Sequence, residues 1–333
     1  MTVGAHILAP AGLTLTDEEV RFFRDAAPWG FILFARNIDT PDQVRALTAS
    51  LRDTVGRDAP ILIDQEGGRV QRLRAPHWRE WEPPLSQVDR DPRERSMYLR
   101  GLLIGAELAS LGIDSNCAPS ADIAFPETHP FLQNRCYGRD VAGVTAMARA
   151  NADGLLDAGV LPVLKHAPGH GRATLDSHEA LPVIDVPLAE LTATDFAPFR
   201  ALSDLPMAMT AHIVVPALDP EHPITLSPQG MAFLRNEMGL DMLMMSDDVS
   251  MGALTGPIGA RSRAALEAGC DVVLHCNGDM AEMVDVASAA PVLGGDALRR
   301  ADAALSQRKS PVPIDIPAVV AELGDLLRES AYA

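Results

Sequence analysis

Basic clusters, paired cysteines and long apolar runs are all missing from this sequence. Its 333 residues carry 28 Lys and Arg against 45 Asp and Glu, a formal net charge of −17. No basic run interrupts that acidity, which excludes a nucleic-acid partner, because phosphate binding draws on clustered cations. No apolar stretch reaches the ~18 residues of a membrane-spanning helix, so no membrane partner is expected. The four cysteines, Cys117, Cys136, Cys270 and Cys276, form no C-x-x-C pair. Scattered in this way they read as reduced core residues, not as a disulfide frame. Residues 1–19, MTVGAHILAPAGLTLTDEE, have no basic stretch ahead of a long apolar core. No secretory signal is therefore expected, and the cytoplasm is the expected location. Repeats, low-complexity tracts and long linkers are also absent.

What is present is a globular composition, 47% hydrophobic and 22% charged, in a chain long enough to bury a core without disulfides or a structural metal. Eight short apolar runs alternate with helical patterns. The runs are 6–12, 29–35, 59–65, 113–119, 160–167, 206–213, 242–247 and 271–277. Several are apolar throughout, as parallel strands covered on both faces require. Thr16 with Glu19 predicts a capping box opening a helix over 17–26, and Thr40-Pro41 predicts the start of a helix over 41–55. Helical spacing recurs at 93–111, 140–158, 187–203, 228–238 and 258–269, and the tail 280–333 is mostly helical, broken by SPVPIDIP. Eight such β-then-α units predict an α/β protein, a single-domain (β/α)8 TIM-type barrel over 1–333.

Polar residues gather where the strands end: Asp64, Glu66, Asp122, Lys165, His166, His212, Asp247, Asp248, His275 and Asn277. That rim is where such a barrel builds its active site, although some of these groups would only solvate the mouth. The densest segment is KHAPGHGRATLDSHEALP, residues 165–182. Pro168, Gly169 and Gly171 prevent a regular helix there, so it reads as a loop. Asp176 lies two residues before His178 and can fix its tautomer, which makes the pair a candidate acid/base dyad. His166, His170, Asp176 and His178 could instead hold zinc, but HAPGH cannot present two histidines on one helical face, and Lys165 would repel a cation. In LMMSDDVSMGAL, residues 243–254, strand alternation sends Asp247 and Asp248 in different directions. One faces the rim centre, where it suits attack on a sugar anomeric carbon, and the other braces a loop. In ILIDQEGGRVQRL, residues 61–73, Asp64 with Arg72 could grip vicinal hydroxyls, while Glu66 is expected to pair with Arg69 to shape the loop. Arg135, in QNRCYGRD, could reach the site from the long loop after the fourth strand.

Taken together, DQEGGRVQR, the R-[SC]-[FY]-G element, KH-x-PGHG with DSH after it, TAH and SDD-x-SM resemble the bacterial β-N-acetylglucosaminidases (β-N-acetylhexosaminidases) of peptidoglycan recycling, in glycoside hydrolase family 3. The resemblance covers about 15 to 275. It implies that Asp247 is the nucleophile, that His178 is the acid/base oriented by Asp176, and that Asp64, Arg72, Arg135, Lys165 and His166 hold a terminal N-acetylglucosamine. Asp248 matches a neighbouring acid to which it assigns no role. Three departures stand out: Ala167 replaces a usual Phe, Cys136 a common Ser, and SMGAL lacks the frequent Glu.

The expected reaction is retaining hydrolysis of a terminal β-linked N-acetylglucosamine through a glycosyl-Asp247 intermediate. The implied substrate is N-acetylglucosaminyl-1,6-anhydro-N-acetylmuramic acid, with or without its peptide, and a basic rim at Arg72, Arg135 and Lys165 is expected to meet its carboxylate. No metal or organic cofactor is expected, and the form is expected to be a monomer. Three rivals remain at this point. They are a phosphorylase using the same site, a zinc hydrolase using the loop histidines, and a muropeptide-binding barrel without catalysis.

Overall fold

A computed structural model describes residues 2–177 and 180–329. Each expected apolar run supplies one strand: β1 Gly4–Leu8, β2 Pro28–Leu33, β3 Ile61–Ile63, β4 Ser115–Asn116, β5 Leu161–Ala167, β6 Met207–Thr210, β7 Leu243–Asp248 and β8 Val272–Leu274. The strands pair in parallel and close into a barrel, with β1 hydrogen-bonded to both β2 and β8. The fold is a (β/α)8 barrel of the TIM type.

Strand alternation divides the apolar residues into two layers. Ile7, Ile32, Leu62, Val163, Met207, Met209, Leu243, Met245, Val272 and Leu274 fill the barrel interior. Their neighbours Leu8, Phe31, Leu33, Ile61, Ile63, Leu164, Ala208, Met244 and Val273 pack outward against the helices. The two-sided burial explains why these strands read as continuous apolar runs. Leu293, Ala301 and Ala304, the last two on the helix Gly295–Ser306, join the interior cluster, so the polar groups are left to the opposite mouth.

The predicted caps are present. Thr16 Oγ1 accepts from Glu19 N at 3.2 Å while a Glu19 carboxylate oxygen accepts from Thr16 N at 2.9 Å, which opens α1, Asp17–Ala26. Thr40 caps α2, Pro41–Val55, and Asp140 caps the helix Val141–Asp157 through Gly143 N. The helix expected over 187–203 is instead two, Leu188–Ala193 and Ala197–Ala201. Pro198 has no N–H to give the Thr194 carbonyl, and its ring excludes that carbonyl from a helical position. Thr194 accordingly leaves the helical region, at φ −121° and ψ −88°. The tail forms helices at Met280–Ala289, Gly295–Ser306 and Ile316–Glu329. Among the described residues, no helix is long and apolar enough to cross a membrane.

Candidate functional site

The C-terminal ends of the strands surround a cavity of about 340 Å³. Asp64, Arg69, Arg72, Arg135, Lys165, His166, His170, Ser177, Asp247, Asp248 and Cys276 all line it, with Phe34, Phe131 and Met251 in its walls. These side chains come from five strand ends and from the loops after β3, β4, β5 and β7.

One half of the cavity is a buried ionic lattice. Lys165, 2% exposed, places Nζ 2.9 Å from Asp64 Oδ1 and 2.6 Å from Glu66 Oε1. Arg72 Nη2 donates to Asp64 Oδ2 at 2.9 Å. Arg135 grips Glu66 with two bonds, Nε to Oε2 at 2.9 Å and Nη2 to Oε1 at 2.8 Å, the fork geometry that favours Arg for carboxylates. Burial alone would push both carboxyls up, but Lys165 and Arg72 outweigh it at Asp64, which stays well below the usual carboxylate range. At Glu66 burial is outweighed by Arg135 and Lys165, and the pKa falls to about 2. Lys165 responds in the opposite sense: burial favours its neutral form, yet Asp64 and Glu66 hold it charged. The cations expected to form a bare basic rim therefore spend much of their charge on two carboxylates. The lattice still leaves one Lys165 proton and outward Arg72 and Asp64 atoms for a hydroxylated ligand.

Glu66 does not pair with Arg69, as the sequence reading had it. Gly67 and Gly68, at φ 110° and 59°, turn the chain in the hairpin formed by Gln65–Gly67 and Val70–Gln71. Arg69, still on the cavity wall, instead stacks 3.7 Å over the Phe131 ring and donates to the Phe131 carbonyl at 2.7 Å.

His166 is fixed from two sides. Arg135 Nη2, which can only donate, lies 3.3 Å from His166 Nε2. The ring proton therefore sits on Nδ1 and is donated to Asp122 Oδ2 at 2.7 Å. Asp122 also accepts from the His170 backbone N–H at 2.7 Å, which anchors the start of the PGHG loop. Its carboxyl is raised by burial but held well below the usual range by His166 and His170. The His170 ring lines the cavity with no hydrogen-bond partner among the described residues, and burial lowers its pKa to about 4, so it is neutral near pH 7. Gly171 is required by close approach: a Cβ there would lie 2.0 Å from the Ile123 carbonyl oxygen.

The other half of the cavity is carried by β7. Asp247 Oδ1 accepts from the Asp248 N–H at 2.8 Å. Among the described residues its second oxygen has no hydrogen-bond donor. Burial raises this carboxyl, but His212, His166, the Asp248 N–H and Lys165 together hold it below its ordinary value. It is thus an anion with one fixed and one open oxygen. Asp248 has the bracing role expected of one of the pair, accepting from Ser250 N at 3.0 Å, Ser250 Oγ at 2.7 Å and Cys276 N at 3.3 Å.

Ser177 lines the same cavity, and its carbonyl accepts from Ala253 N at 3.2 Å. The segment that carries Asp176 therefore docks on the turn following Asp247, at the same end of the barrel. His178 lies outside the described residues. Among those residues no three His, Cys, Asp or Glu side chains are placed to hold a metal ion. His275 and Asn277 turn away from the cavity and bond to Glu282.

Residues 11–304 match the N-terminal domain of glycosyl hydrolase family 3. The chain belongs to that family. Its family-3 relatives include proteins named beta-hexosaminidase from Bordetella pertussis, 38% identical over 290 residues that make up 84% of this chain and 82% of that one, and from Alkalilimnicola ehrlichii, 37% identical over 83% and 82%. The solved structure of native NagZ from Neisseria gonorrhoeae superposes with a TM-score of 0.84 and 30% identity, covering 99% of this chain and 98% of that one. The chain is thus a glycoside hydrolase by family, with the fold its strand count predicts. The structure also gives partners to acids that the sequence places at the rim without a catalytic or binding role. Glu66 and Asp122 hold the cations and His166 in place, and Cys276 forms part of the wall. A sequence signal existed for the two carboxylates, since acids at apolar strand ends must be paired or used.

Proposed function

We propose that this chain is an exo-acting, retaining β-N-acetylglucosaminidase. The observation that carries the reading is Asp247, an anionic carboxylate with one oxygen held and one open, facing a lattice of Asp64, Arg72 and Lys165 across a cavity of about 340 Å³. That volume is at the small end of ligand pockets, ~300–1,000 Å³, and suits one terminal sugar more than a chain. Relatives named beta-hexosaminidase support the sugar class.

In the first step Asp247 bonds to C1 of the sugar as the bond from C1 to the leaving oxygen breaks, and His178, oriented by Asp176, gives that oxygen its proton. In the second step water attacks C1, its proton passes to His178, and Asp247 departs as a carboxylate. Asp64, Arg72 and Lys165 bind sugar hydroxyls. Arg135 and His166 hold the wall beside them through Glu66 and Asp122. The substrate we infer is N-acetylglucosaminyl-1,6-anhydro-N-acetylmuramic acid, with or without peptide, handled by a monomer in the cytoplasm during peptidoglycan recycling.

A panel of aryl β-glycosides of N-acetylglucosamine, glucose and xylose tests the reading, with the product followed by NMR in the presence and absence of phosphate. Preference for N-acetylglucosamine with first release of the β-anomer is expected. A first-formed α-anomer would refute retention, and a glycosyl phosphate product would favour the phosphorylase.

A further inference from the structure

We infer that Asp248 is a positioning residue for the nucleophile, resting on the reading of Asp247 above. All of its polar atoms are engaged, and the partners come from three neighbouring strand ends. Its carbonyl accepts from His212 Nε2, beyond β6, at 3.0 Å and from Met251 N at 3.1 Å. Its Oδ1 accepts from Cys276 N, beyond β8, at 3.3 Å and from Ser250 N at 3.0 Å, and its Oδ2 accepts from Ser250 Oγ at 2.7 Å. The Cys276 carbonyl is in turn held by Arg36 Nη2 at 2.6 Å, and Arg261 Nη1 holds the carbonyls of Val249 and Met251 at 3.0 and 3.2 Å.

The remaining polar group of Asp248 is its N–H, and that group donates to Asp247 Oδ1. With the Asp248 side chain and carbonyl both anchored, the direction of this N–H is set. It fixes one nucleophile oxygen and leaves the other aimed into the cavity. The clamp therefore converts the hydrogen-bond geometry of a turn into the attack angle of a carboxylate, where a displacement of about 1 Å can cost ~10²-fold in rate. What the clamp needs from residue 248 is an acceptor at Oδ1 and a polar partner for Ser250 Oγ. Asparagine supplies both, because Ser250 Oγ can accept from its amide. Alanine supplies neither.

The test uses a 4-nitrophenyl β-N-acetylglucosaminide for steady-state kinetics and a 5-fluoro-N-acetylglucosaminyl fluoride as a trap for the glycosyl-enzyme. Asp248→Ala is expected to lower kcat about 10²-fold with KM within about threefold of wild type, and to slow trapping to the same degree. Asp248→Asn is expected to restore kcat to within about fivefold. Should the alanine variant fail to fold, Ser250→Ala, which removes only the bond to Oδ2, is expected to lower kcat about three- to tenfold. A wild-type kcat in either Asp248→Ala or Ser250→Ala overturns the inference, as does an asparagine variant as poor as the alanine one, which would point to the charge and not to the clamp. The trap on the wild-type enzyme separates this from the parent reading: a label on any residue but Asp247 overturns the nucleophile assignment before a variant is made.

Discussion

Replacing Glu66 with Gln keeps the side-chain volume but removes the charge on which Arg135 and Lys165 converge. Glu66 is 1% exposed, Lys165 2%, and the Arg135 side chain 8%. After the change, Arg135 loses its carboxylate, Lys165 keeps only Asp64, and one amide N–H₂ faces guanidinium donors that offer no acceptor. Removing one partner of a buried pair costs about 3–5 kcal/mol. Proton linkage gives a second route to the size. Glu66 falls from its ordinary 4.5 to about 2 in the folded chain, because Arg135 and Lys165 outweigh the opposing effect of burial. At about 1.4 kcal/mol per pKa unit the charged form contributes roughly 3 kcal/mol at neutral pH. The melting entropy, about 2.1 cal/mol/K per residue, is roughly 0.7 kcal/mol/K for a chain of this length, so Glu66→Gln should lower Tm by about 4–7 °C. Because the folded pKa lies below the unfolded one, this stabilisation is fully present above pH 4.5 and is lost as pH falls toward 2. The stability gap between wild type and variant should therefore narrow by roughly 2 kcal/mol between pH 7 and pH 3. Scanning calorimetry across that range measures it. A Tm loss under about 1.5 °C at pH 7, or a gap that stays constant with pH, would refute the claim that this carboxylate holds the cation lattice together.

Asp247→Ala should abolish turnover of an aryl β-N-acetylglucosaminide while calorimetry shows the barrel still folded; turnover near wild type would remove it as nucleophile. His178→Ala should slow substrates with poor leaving groups at least ~10²-fold more than activated aryl glycosides, and equal losses would argue against proton donation to the leaving oxygen. Gly171→Ala sets a Cβ 2.0 Å from the Ile123 carbonyl oxygen, so the loop must shift; kcat should fall at least tenfold, and unchanged kinetics would show that the loop position is not tied to the chemistry. The pH profile of kcat/KM should fall on the basic side as the proposed proton donor His178 is deprotonated, with an acidic limb below the usual Asp range because Asp247 is held down against its burial.

The barrel was legible because its signals are local. Parallel strands buried on both faces read as apolar runs, and the capping box at Thr16 and the N-cap at Thr40 announce helix starts within four residues. The break in the helix expected over 187–203 was also local in origin, but Pro198 near a helix start and Pro198 inside a helix look alike until Thr194 is placed. The site was legible to the extent that chemistry marks single residues. Asp64, Lys165, His166 and Asp247 could be named because ionisable groups at the ends of apolar strands require a reason. Their pairings could not. Glu66 and Arg135 are 69 residues apart, Asp64 and Lys165 101 apart, and His166 and Asp122 44 apart. Only barrel closure makes them neighbours. The nearest arginine in sequence, Arg69, was the wrong partner for Glu66, since two glycines at positive φ turn it away.

The same mouth holds carboxylates of two kinds, and the difference between them is what gives the site a function. Asp64, Glu66 and Asp122 each accept from two or more side-chain or backbone donors, and their acidity is spent on holding cations and an imidazole in place. Groups held like these make poor nucleophiles, because attack would first have to break charge-assisted bonds. Asp247 lies within the field of His166, His212 and Lys165, and among the described residues one backbone N–H donates to it. It receives enough positive potential to remain ionised in a buried position, and too few bonds to be occupied. A barrel that ionised all its rim acids by direct salt bridges would be a stable shell with nothing free to attack. One that left them all unpaired would protonate them or unfold. Under the proposed mechanism the division of labour between β3 and β7 follows from the chemistry, which needs a rigid wall of paired charges on one side of the sugar and an unspent oxygen on the other.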